Sequence, residues 1–171
     1  LANAADDPPF VADDFLRFYG RVNMWAAAGE DELKKDVAVC KECHVGYHIE
    51  MAGFGDGKSA FDSEAALQSV IAMYRKLLSW CRAAKIPLFT SITNRNIEIT
   101  KYSNTGRPFA SIVPAAKRLA QAVFDEGPEW QFVQPVAETN NGNKPVEDFE
   151  KWCGTLFASW PLVYNGNGGR P

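Results

Sequence analysis

The stretch from Asp62 to Thr93 constrains this chain more than any other. Asp62 or Ser63, followed by Glu64, supplies a helix start. Leu67, Val70, Ile71, Tyr74, Leu77, Leu78 and Cys81 then recur at spacings that place them on one helical face. This stripe predicts a helix ending near Lys85. Directly after it, Ile86 to Thr93 is rich in β-branched and large apolar residues, with Pro87 near its start, and predicts a strand. A strand of that character needs a sheet to join. The expected fold is therefore mixed α/β (α+β), with four to five helices around a small sheet, and a mainly α arrangement is the alternative.

The flanking segments fill in that outline. Asp13 or Asp14 caps an expected helix whose apolar positions are Phe15, Leu16, Phe18, Tyr19, Val22 and Trp25, with Gly29 as its stop. A short helix is expected from about Glu30 into Cys40, which puts the cysteine pair Cys40 and Cys43 at a helix end. Gly46 to Gly57 reads as a Gly-rich loop with a short strand at Tyr47 to Met51. Residues 94 to 110 read as a long loop carrying Asn94, Asn96, Asn104, Gly106 and Pro108, with a short extended piece at Ile97 to Thr100. Pro114 is placed in the first turn of a helix through Phe124 that Gly127-Pro128 ends. Trp130 to Val136 is a second strand, confined by Pro135 to an edge or an end. Pro145 opens a last helix through Phe157. Residues 1–9 and 165–171 are expected to be flexible ends of a single domain spanning 1–171.

Composition excludes several classes of function. At 171 residues and 46% hydrophobic content, the chain buries a core without needing a metal or disulfide to hold it. The formal charge of −3, with lysines and arginines scattered, gives no footprint for a phosphate backbone, so nucleic acid is not an expected partner. No apolar run approaches the roughly 18 residues of a membrane-spanning helix. Leu1-Ala2-Asn3-Ala4 has the small-x-small pattern that signal peptidase accepts. Export to a periplasm, an organelle lumen or the extracellular space is the expectation from it. In an oxidising compartment Cys81 and Cys153 are left to form a disulfide.

The strongest chemical signal is Cys40-Lys41-Glu42-Cys43-His44. Two thiols three residues apart meet the two vinyl groups of a haem, and the adjacent imidazole reaches the iron. In these residues the chain resembles c-type cytochromes, though the likeness covers the motif and not the whole chain. The resemblance implies haem c on Cys40 and Cys43, with His44 as the proximal ligand and Met51 or Met73 as leading candidates for the sixth position. Met24 and His48 are further candidates, and an open site is another possibility. His48 lies only four residues from His44 and is poorly placed for the opposite haem face. The resemblance also implies a mainly helical, cytochrome-like fold as the alternative to mixed α/β. Electron transfer is the implied role, alone or as a small subunit bound to a redox protein or a larger membrane or periplasmic complex.

Plainer readings compete with haem. Cys40, Cys43 and His48 have the spacing of three zinc ligands, with Cys81 or Cys153 as a distant fourth. Disulfides without any cofactor would make a secreted interaction protein. Ala52 to Ser59 resembles a phosphate-binding loop, but its first glycine is replaced by Ala52 and the next helix starts too late to point at a phosphate. His48 with Glu50 and Lys58 is a further acid–base grouping. Whether the chain is an enzyme is left open by its sequence.

Overall fold

The structure, a computed structural model, describes residues 18–21, 29–50, 63–91, 109–134 and 144–160. Strands and helices alternate along them: β1 (Phe18–Arg21), α1 (Glu30–Cys43), β2 (Gly46–Glu50), α2 (Glu64–Ala84), β3 (Leu88–Ser91), α3 (Phe109–Asp125), β4 (Gln131–Gln134) and α4 (Lys144–Leu156). The four strands lie side by side in chain order, and every neighbouring pair is parallel. The mixed α/β expectation holds over the mainly helical one, in the form where helix and strand take turns. Antiparallel neighbours join through a tight hairpin, whereas parallel neighbours need a crossover, which here is a helix each time.

Sequential order has a packing consequence. Right-handed crossovers that always step in the same direction deliver each helix to the same side of the sheet. The buried faces of all four helices accordingly join Tyr47, Ile49, Leu88 and Val133 in one core. Leu67, Leu77 and Leu78 of α2 are within 1% of complete burial, as the apolar stripe predicts. Each such side chain contributes about 1.5–3 kcal/mol by leaving water. Ser63 accepts a hydrogen bond from the Ala66 N–H at 3.1 Å and so caps α2, as its sequence anticipates. Lys85, in the left-handed conformation, closes the other end.

Two expectations are corrected. The helix expected through Phe15 to Trp25 is not what residues 18–21 form, since they pair with Gly46–Ile49 as strand β1. Phe18 and Tyr19 suit a strand as well as a helix, and sheet pairing to β2 decides between the two. Gly29 stands at the N-cap of α1 in an extended conformation, where the helix expected from about Glu30 begins, and residues 22–28, which it is expected to close off, lie outside the described residues. The helix containing Pro114 starts five residues earlier than expected, at Phe109, so Pro114 lies inside it and removes one backbone hydrogen bond. The other elements match, β2 and β3 within a residue or two, although Met51, Ile92, Thr93 and the expected extended piece at 97–100 lie outside the described residues.

Candidate ligand site at the carboxyl ends of the strands

The residues of the Cys-x-x-Cys-His run are divided between core and surface. Leu33, Asp36, Val37 and Cys40 form the buried stripe of α1. Cys40 is fully buried, and burial, with Asp36 and Cys43 adding to it, pushes its thiol up to about 12. Cys81 on α2 is buried, its thiol raised first by burial and then by Cys40, so the two sulfurs are electrostatic neighbours across the α1–α2 seam. Cys43, the last residue of α1, is exposed. His44 is also exposed and terminates the helix in the left-handed region, at φ 51°. There its N–H donates to Lys41, and the Val45 N–H donates to Cys40 at 3.0 Å. His44 thus has a structural task as a helix terminator.

The remaining sequence candidates fall in separate places. Met73 lies on α2, partly buried against the core, and Met51, Met24, Lys58 and the Gly-rich run 52–59 lie outside the described residues. Cys81 and Cys153 are buried on α2 and α4, and no disulfide joins any of the four cysteines in the structure. His48 belongs to the middle of β2 between Tyr47 and Ile49, which both point into the helix-side core. Strand alternation puts His48 on the opposite face, so the sheet stands between it and Cys40. Among the described residues no group of three or more His, Cys, Asp or Glu gathers as a metal-ligand set.

The face away from the helices carries a different constellation. Gly20, His48, Phe89 and Phe132 occupy one register row across the four strands. The His48 ring stands edge-on to Phe89, with centroids 4.8 Å apart and planes at 76°. His48 is half-buried, and desolvation lowers its pKa below the usual 6.5, which favours the neutral imidazole. A neutral imidazole carries one donor and one acceptor nitrogen. Two residues further along each strand, Glu50, Ser91 and Gln134 share the next register row, at the carboxyl ends of β2, β3 and β4.

The connections on the two sides of this sheet differ sharply in length. Segments leaving the carboxyl ends of the strands, 22–29, 51–63, 92–108 and 135–143, run to 8, 13, 17 and 9 residues. Those entering the amino ends, 44–45, 85–87 and 126–130, have 2, 3 and 5. In parallel α/β sheets ligands are held at the carboxyl ends, where connecting segments can diversify without disturbing the core. Of the sequence grouping His48, Glu50 and Lys58, the first two lie on β2, with Glu50 at its carboxyl end, and Lys58 lies outside the described residues. Ser91 and Gln134 carry no local sequence signal, since the parallel register that aligns them with Glu50 has no counterpart in the local sequence.

Comparison with models of protein families, with curated proteins and with solved structures gave no match.

Proposed function

We propose that the chain binds a small polar molecule at the carboxyl ends of its parallel strands, with His48 as the central titratable group. The observation that carries this reading is the asymmetry of the connections, 8 to 17 residues at the carboxyl ends against 2 to 5 at the amino ends. Short amino-end turns conserve the scaffold's geometry, and long carboxyl-end segments are what a binding site on such a sheet requires. Half-burial lowers the His48 pKa and favours its neutral imidazole, so a ligand that presents an anion or a hydrogen-bond acceptor beside the ring would favour its protonation. The test is thermal unfolding of the whole chain against a panel of small polar metabolites. A ligand at 100 times its Kd adds about 2.7 kcal/mol of stability. At least one compound is expected to raise Tm, and His48→Ala is expected to abolish that rise. A panel without effect, or a rise that His48→Ala leaves intact, contradicts the proposal.

The rival proposal is the exported c-type haem protein, with thioether bonds at Cys40 and Cys43, His44 on the iron, and electron transfer as its role. Of the two cysteines only Cys43 is exposed, and Cys40 would have to leave the helix-side core for a second thioether to form. A dithionite-reduced visible spectrum followed by denaturation in alkaline pyridine decides between the two. Haem c that stays with the polypeptide establishes the rival, and a colourless protein removes it.

A further inference from the structure

We draw no further inference here: the strongest candidate, the cleft of about 260 Å3 between the first turn of α2 and α3 lined by Ser63, Glu64, Ser111 and Arg118, rests on a helix N-terminus beside an Arg118–Glu64 ion pair that already ties the two helices together, and nothing in the structure points to a ligand there.

Discussion

The two ends of this sheet are built on different principles. At the amino ends the chain turns within a few residues and ties itself down with backbone hydrogen bonds: Tyr47 N–H to Pro87, and Leu88 N–H to Trp130, both at 2.9 Å. Each preceding helix is closed by a residue in the left-handed region, namely His44, Lys85 and Gly127. Buried polar groups are also satisfied there. Tyr74 donates to the Gln131 side-chain oxygen, while the Gln131 amide donates to the Gly127 carbonyl at 2.6 Å. The row of Glu50, Ser91 and Gln134 stands at the carboxyl ends, two residues beyond the His48 row at mid-sheet, and long connections follow it. Where the turns are capped and Tyr74 and Gln131 satisfy one another, substitution is expected to damage stability. Where long segments follow a half-buried imidazole, substitution is expected to damage binding instead.

The largest effect should be kinetic and should divide the Cys-x-x-Cys-His run itself. With Ellman's reagent on the native chain, Cys43 is expected to react at once. Cys40, Cys81 and Cys153 should react orders of magnitude more slowly, because they are buried and their thiols are held protonated. All four should react in denaturant. Fewer than four would mean that thiols are consumed in thioether bonds or a disulfide, and the division into core and surface would fail.

Stability changes come next. Phe149→Ala empties a fully buried site on α4 and should cost about 3–5 kcal/mol in urea unfolding. A loss below 1 kcal/mol would show that α4 does not complete the helix-side core. Gln131→Leu leaves the buried Tyr74 hydroxyl without its acceptor and should cost about 1–3 kcal/mol. Adding Tyr74→Phe should recover much of that loss, since both polar partners are then gone, and additive losses in the double variant would deny the coupling.

The smallest effect belongs to His48 and depends on pH. Burial lowers its pKa in the folded chain, so as pH falls through 6.5 the unfolded chain takes up a proton that the folded one resists. Stability from this group is therefore complete above pH 6.5 and declines as pH falls towards the folded value. Urea midpoints measured at pH 7.5 and pH 5 should show a loss in the natural chain that His48→Gln reduces. Equal losses in both would mean that the His48 ring is solvated and not part of a half-buried row.

What was legible in the sequence followed from local periodicity. The stripe Leu67 to Cys81, the cap at Ser63 and the strand after Pro87 emerge where expected, because a long amphipathic helix and a β-branched run each carry their own signal. Phe18–Arg21 fits a helical pattern as well as a strand, because four residues hold too little periodicity to separate the two states, and only pairing with β2 makes them a strand. The candidate site was legible in part. His48 and Glu50 are neighbours in sequence, but their alignment with Phe89, Ser91, Phe132 and Gln134 is a property of register, which arises from strand pairing between segments about forty residues apart. In the other direction, Cys40, Cys43 and His44 are contiguous in sequence yet divided by burial. Helix geometry fixes the spacing of Cys40 and Cys43 along α1, while the packing of α1 against α2 puts Cys40 inside.

Amide chemical-shift mapping of the 15N-labelled chain against a cocktail library of small polar fragments tests the central claim most directly. Binding at the carboxyl ends predicts perturbed amides at His48, Glu50, Ser91 and Gln134, with the turns at 44–45, 85–87 and 126–130 unmoved. Perturbations confined to Cys43, His44 and the amino-end turns would contradict it.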